Sequence, residues 1–179
     1  MKKSTTIILL FLAFAGFLKV EGQTVNETEK DTIFRHSIGA GIGFTTGYGL
    51  SYRYTPATFG VQLNFAPYHD KEIDRYSIGL TFLYSLVRHK TTNLFLYQGN
   101  HYYYNSQMLY VYDPDPNKPY NPNPDKERVT TSYMNNGIGF GFELIIAKRI
   151  GFNLMGGFAS YSNFQELNLT GETALYYKF

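Results

Sequence analysis

LNLTGETALYYKF, Leu167 to Phe179, is the stretch whose reading decides the fold. Counted back from the end, every second residue is Phe179, Tyr177, Leu175, Thr173, Gly171, Leu169 and Leu167, a largely apolar and aromatic set. The alternate set, Lys178, Tyr176, Ala174, Glu172, Thr170 and Asn168, is mostly polar. A period of two is the signature of a β-strand with two unlike faces. The strand is expected to stop on Phe179 with no tail. An open sheet edge cannot sit in lipid, so a membrane barrel needs a last strand that pairs back onto its first. Leu167–Phe179 is expected to be that closing strand.

Working outward, the other end of the chain states a compartment. Residues 1–22 have the layout of a secretory signal peptide: Lys2 and Lys3, then an apolar core of 11 residues from Ile7 to Phe17, then Val20 and Gly22 ahead of a new N-terminus at Gln23. That core is shorter than the roughly 20 residues a helical span needs. The absence of cysteine excludes a lipidated-cysteine anchor and a disulfide framework. Losing Lys2, Lys3, Lys19 and Glu21 with the signal turns 16 basic and 14 acidic residues into 13 of each. A neutral mature chain excludes nucleic acid as a partner, since that needs a basic excess. The mature chain is instead rich in Tyr, Phe and Gly, with 17, 15 and 17 in the full sequence and no Trp. Mean hydropathy is only −0.26, as expected where half of every strand faces lipid and half faces inward.

Residues 23–34 lack periodicity and are expected to form a periplasmic lead-in. Residues 35–179 carry seven further strands of the same kind. The outward sets are His36, Ile38, Ala40, Ile42 and Phe44; Tyr48, Leu50, Tyr52 and Tyr54; Phe59, Val61, Leu63 and Phe65; and Tyr76, Ile78, Leu80, Phe82 and Tyr84. Strand five, about Asn93 to Tyr104, is apolar on both faces at its start. A register with Phe95, Tyr97 and Gly99 outward keeps Gln98 and Asn100 out of lipid and is the one expected. Strand six puts Ile138, Phe140, Phe142, Leu144 and Ile146 out against Gly137, Gly139, Gly141 and Glu143. Strand seven puts out Ile150, Phe152, Leu154 and Phe158. Thr45-Thr46-Gly47 reads as a tight turn, Tyr68 to Arg75 as a polar loop, and 105–132 as a long external loop. Short turns on one side and longer loops on the other are the layout of an outer-membrane barrel. A soluble, lipocalin-like barrel would carry its apolar face inside; here the opposite face is the one rich in Gly, Ser, Thr and Asn.

In pattern and topology the whole mature chain resembles the small OmpX/OmpA-like eight-stranded outer-membrane barrels. Leu175, Tyr177 and Phe179 resemble the C-terminal aromatic signal by which Gram-negative outer-membrane barrels are recognised for assembly. The resemblance implies an all-β, eight-stranded, antiparallel up-and-down transmembrane barrel, integral to the outer membrane with both termini periplasmic. Its partners would be outer-membrane lipid and the barrel-assembly machinery, with a monomer expected and no cofactor. Eight strands leave an interior just wide enough for side chains, which excludes a general porin.

Few residues can carry chemistry. Arg35, Arg53, Glu143 and Glu172 fall on the inward face, where buried charges must pair. Arg53 with Glu143 or Glu172 is the expected ion pair. A lipid A-modifying enzyme is the alternative from another class, and a narrow channel or small-ligand-binding barrel is a third. His36, His69, His89 and His101 are the candidate bases, and no position offers nucleophile, base and acid together. Solvated loop or interfacial positions are expected for all four, and no catalytic residue is assigned. Asp113-Pro-Asp115-Pro-Asn117 imitates a calcium loop, but Lys118 and Pro124 stand where glycine and glutamate are needed, so no metal is assigned. The external segment is expected to be a protruding hairpin with a Pro-rich tip. Its exposed tyrosines, Tyr110, Tyr112 and Tyr120, would offer contact area to an extracellular protein or surface partner.

Overall fold

The alternation closes on itself. The computed structural model describes residues 34–111, 125–164 and 166–179; the signal segment 1–22 and the lead-in up to residue 33 lie outside them. The strands are β1 (His36–Gly43), β2 (Gly49–Tyr54), β3 (Phe59–His69), β4 (Ile73–Arg88), β5 (Thr92–Val111), β6 (Asp125–Ile146), β7 (Ile150–Tyr161) and β8 (Glu166–Lys178). Each pairs antiparallel with its neighbours in sequence, and β8 pairs with β1, so the ring is a closed barrel. At the seam Ile38 faces Tyr177 and Ala40 faces Leu175. His36 and Phe179 exchange backbone hydrogen bonds of 3.2 and 2.9 Å.

The two surfaces are chemically inverted relative to a water-soluble barrel. Ile42, Leu50, Phe59, Phe140, Leu154 and Leu175 are exposed on the outside, while Ser51, Gln62, Asn64, Thr81 and Asn153 are buried within. A continuous apolar outer wall around a polar interior is the arrangement of a barrel that spans a lipid bilayer. Aromatic side chains ring both rims. Tyr76 stacks on Tyr104 at 4.6 Å at the end carrying the long β5–β6 hairpin, here the hairpin end. His36 lies between Tyr54 and Phe179 at 4.9 and 5.8 Å at the opposite, turn end.

Three expectations are overturned. The β5 register is the reverse of the one expected: Phe95, Tyr97 and His101 are buried inside, and Leu94 is 37% exposed outside. The β5–β6 ladder sets Leu94 against Phe142 and Leu96 against Phe140, so apolar groups meet on the outer wall and the bulky rings enter the space left by the β6 glycines. The amides this sends outward satisfy each other. Gln98 Nε2 donates to Asn100 Oδ1 at 2.8 Å and Asn100 Nδ2 returns a bond to Gln98 Oε1 at 3.0 Å. Their second protons go to the Gly99 and Leu80 carbonyls, both at 3.3 Å. Paired donors and acceptors can face lipid; unpaired ones cannot. Gln98→Ala is therefore expected to cost about 1 kcal/mol by orphaning Asn100. Gln98→Leu with Asn100→Leu should recover it, as read by urea unfolding in lipid vesicles. Equal losses in the single and double variants would mean the pair does not exist in the membrane.

The second correction is the segment Tyr68 to Arg75, which is not a loop. Asp70 and Ile73 exchange backbone bonds of 2.7 and 3.3 Å, and this tight turn lets β3 and β4 run on to His69 and Ile73. The third is Tyr48, which belongs to no strand and does not face out. Positive φ angles at Gly47 and Gly49, 78° and 108°, turn the chain inward there, a conformation glycine adopts without penalty.

The plugged lumen as the candidate functional site

The interior has two layers. Near the turn end, β2 presents Arg53, only 4% exposed. Its Nε and Nη2 donate to Gln62 Oε1 at 3.1 and 2.6 Å. Nη1 lies 3.5 Å from Glu143 Oε1. The Asn153 side-chain oxygen, in the amide orientation that satisfies both its ends, accepts from Nη1 and Nη2 at 2.9 and 3.0 Å. The guanidinium plane lies over the rings of Tyr176 and Phe95, at 4.4 and 5.4 Å. Glu143 Oε2 in turn accepts from Lys178 Nζ at 2.7 Å and Asn93 Nδ2 at 2.5 Å. A buried charge must be paired to be tolerated; here Glu143 Oε2 is paired and hydrogen-bonded, while Oε1 has only the 3.5 Å ion pair with Arg53.

Of the four charges expected together, the structure brings together Arg53 and Glu143. Arg35 is not in the lumen: it precedes β1, is exposed, and contributes its carbonyl to the Thr55 N–H at 2.8 Å. Glu172 is buried in the second layer, away from Arg53. Lys178, which sequence reasoning left out, completes the first cluster. The signal was present, since Lys178 shares the inward face of β8 with Tyr176 and Glu172.

The second layer, toward the hairpin end, is made by the β1–β2 turn itself. Thr45 and Thr46 are 0% and 2% exposed because the turn folds into the barrel mouth. The Phe44 carbonyl accepts from His101 Nδ1 at 2.9 Å and Asn135 Nδ2 at 3.1 Å. The Gly47 carbonyl accepts from Asn64 Nδ2 at 3.1 Å, and the Tyr48 N–H donates to Ser77 Oγ at 3.2 Å. Thr45 Oγ1 donates to Glu172 Oε1, and Oε2 has no hydrogen-bond partner among the described residues. A buried carboxylate with no cation beside it among the described residues is thus tied to the turn by the Thr45 hydroxyl. The glycines of three strands make the space. A Cβ on Gly99 would stand 2.6 Å from the Thr45 carbonyl oxygen, one on Gly137 would stand 2.7 Å from Thr45 Cγ2, and one on Gly79 would collide with the Thr46 carbonyl. Sequence reasoning saw these glycines only as small inward residues and the turn only as a turn.

His101 is the remaining correction. It is 3% exposed rather than solvated, because the β5 register turns it inward. Its Nε2 lies 2.9 Å from Ser77 Oγ. This is a serine–histidine contact without an acid: Nδ1 faces a backbone carbonyl, and Ser77 also receives the Tyr48 N–H. Both side chains are buried and committed to holding the turn, which is a latch geometry rather than a nucleophile poised at a cleft. His36 packs among rim aromatics and bonds Tyr52 Oη at 2.6 Å; His69 bonds Asp74 at the hairpin end.

Above the plug, β5 and β6 outrun their neighbours. They pair without interruption to Val111 and Asp125, so the hairpin protrudes; Tyr112 and Tyr120 lie outside the described residues. On one edge β4 follows only as far as Gln107. On the other, β7 reaches Asn136 and the Asn163 N–H bonds the Met134 carbonyl at 3.1 Å. Struts brace its outer face: Lys126 with Glu72, and Arg128 Nη1 with Asp74 Oδ2 at 3.1 Å. The His69 hydrogen bond and Arg128 together hold the Asp74 carboxyl below the usual range. Tyr110 is exposed with Lys126 Nζ 5.0 Å above its ring.

No protein-family model matches the chain, and no curated protein matches it. Among solved structures it is similar to the N-terminal β-barrel domain of Pseudomonas aeruginosa OprF, with 12% identity, a TM-score of 0.48, and coverage of 80% of this chain and 95% of that one. It is also similar to Neisserial surface protein A, with 11% identity, a TM-score of 0.43, and coverage of 80% and 93%. A third likeness is to Ail, the attachment invasion locus protein of Yersinia pestis, with 12% identity, a TM-score of 0.36, and coverage of 80% and 93%. The architecture of this chain rests on its own strand pairing.

Proposed function

We propose that this protein is an integral outer-membrane barrel whose role is surface interaction through the protruding β5–β6 hairpin. The observation that carries this reading is the bare edge of β6. From Lys126 to Tyr133 the strand is paired to β5 on one side only, and nearly all of it is exposed. A paired edge would be inert; a bare one offers backbone donors and acceptors to an extended segment of an extracellular partner. The lumen supports the same reading, because the β1–β2 turn and the Arg53 cluster fill it and leave a scaffold rather than a pore. In this orientation the hairpin end faces outward, the termini face the periplasm, and Leu175, Tyr177 and Phe179 present the assembly signal on β8.

The test uses intact cells. Protease should cut wild type within residues 112–124 and spare a variant in which they are replaced by a short Gly-Ser bridge. Both proteins should assemble, since hairpin tips tolerate such changes. Thr130→Pro with Ser132→Pro, which removes edge donors, should reduce adherence of the cells to protein-coated surfaces. Resistance of wild type to external protease would reverse the orientation. Unchanged adherence would remove the edge from the function.

A further inference from the structure

The mouth above the plug holds a cation that has no counterion among the described residues. Arg75 extends the inward face of β4 beyond the barrel rim and is half-buried. It donates from Nε to Asn105 Oδ1 at 3.0 Å. Among the described residues no carboxylate pairs with it. Arg53 has Glu143 and Arg128 has Asp74, but among the described residues neither Nη group of Arg75 has an acceptor. Among the described residues the groups that face it are neutral: Ser77 on β4, its register partner Tyr68 on β3, Tyr103 and Asn105 on β5, Thr131 and Tyr133 on β6, and Tyr48 on the plug.

Those tyrosines form a wall. Tyr103 and Tyr133 stack at 4.9 Å, Tyr48 meets the edge of His101 at 6.0 Å, and His101 lies 6.4 Å from Tyr103. Tyr48, Tyr103 and Tyr133 are each only partly buried. Partial removal of a guanidinium from water is unfavourable unless something replaces the lost hydrogen bonds. Its planar fork matches an oxyanion bidentately, and tyrosine supplies a stacking face with a hydroxyl at its edge.

We propose that this mouth is a binding site for a small ring-shaped acid, a sugar bearing a carboxylate or a phosphate, with Arg75 taking the oxyanion and Tyr48, Tyr103 and Tyr133 taking the ring. The site is independent of the β6 edge, which lies on the outer margin of the hairpin. Because Tyr48 belongs to the plug, an occupied mouth also holds the plug down.

Calorimetric titration of the full chain in zwitterionic detergent, at low salt, tests this with four probes: glucuronate, glucose 6-phosphate, glucose and inorganic phosphate. The two sugar acids should bind, and the tighter of them tells carboxylate from phosphate as the source. Glucose should bind about tenfold or more weakly, the loss expected when a charge-assisted hydrogen bond is missing. Arg75→Gln should weaken both acids by a similar factor. Arg75→Lys, which keeps the charge and loses the fork, should fall between, and it covers the case in which the glutamine variant fails to fold. Tyr103→Ala should weaken the sugar acids and leave inorganic phosphate unchanged. Arg149→Gln, at the turn end, should change nothing. Glucose binding as tightly as the acids, unchanged affinity in Arg75→Gln, or no binding of either acid at millimolar concentration would each overturn the proposal.

Discussion

Arg53→Ala is expected to lower the unfolding free energy of the barrel by about 3–5 kcal/mol, the cost of leaving one partner of a buried ion pair alone. Arg53 and Glu143 are both almost fully buried, so little solvent is at hand to screen the loss. The change strips Glu143 Oε1 of its guanidinium, removes the donors to Gln62 and Asn153, and empties the space over Tyr176 and Phe95. Glu143 keeps Lys178 and Asn93 on Oε2, so the charge is not wholly abandoned and the lower part of the range applies. Glu143→Gln in the Arg53→Ala background should therefore cost less than the two single changes together, with a coupling of about 1–3 kcal/mol. Glu172→Gln should show no such coupling, because Glu172 belongs to the turn and not to Arg53. Urea unfolding in lipid vesicles reads the three single variants and the two doubles with Arg53→Ala. Additivity between positions 53 and 143 would contradict the pair, and coupling between 53 and 172 would place Glu172 in the wrong layer.

Gly79→Val is expected to expel the plug. Its Cβ would collide with the Thr46 carbonyl and stand 3.0 Å from the Gly47 nitrogen, and both are backbone atoms that cannot rotate aside. Overpacking of this kind costs about 1–3 kcal/mol, and a backbone clash belongs at the upper end. The turn is tied to the wall by a handful of hydrogen bonds, whereas β3, β4 and β5 are tied by whole ladders. The turn should therefore move and the barrel remain. Hydrogen exchange should speed up at Thr45, Thr46 and Tyr48 while the strand amides stay protected. Gly156→Ala is the control, since a Cβ there has only the Thr170 carbonyl near it, at an ordinary 3.7 Å. Equal effects of the two substitutions would mean that the turn does not occupy the mouth.

What the sequence determined by itself is what a period of two can carry. Where the two faces differ, as in β8 with Leu175, Tyr177 and Phe179 against Glu172, Tyr176 and Lys178, the alternation states strand, facing and solvent together. That was sufficient for the strand count, the inverted wall, the inward positions of Arg53, Glu143 and Glu172, and a hairpin continuing from Met108 and Val129. Where the faces do not differ the signal is empty. Leu94, Phe95, Leu96 and Tyr97 are apolar on both sides of β5, and only pairing with the glycine-lined β6 selects which rings enter the lumen, taking His101 in with them. Tertiary structure alone also decided how Gln98 and Asn100 could face lipid, because two amides neutralise each other only in one local geometry. The plug is a decision of the same kind. Whether Thr45 and Thr46 lean out or in depends on free space across the ring, supplied by Gly79, Gly99 and Gly137 from three other strands and by Glu172 from a fourth. Arg53 meets Glu143 rather than Glu172 for that reason: the turn occupies the layer of the second carboxylate, tied to it by the Thr45 hydroxyl, and only Glu143 lies within reach of the guanidinium.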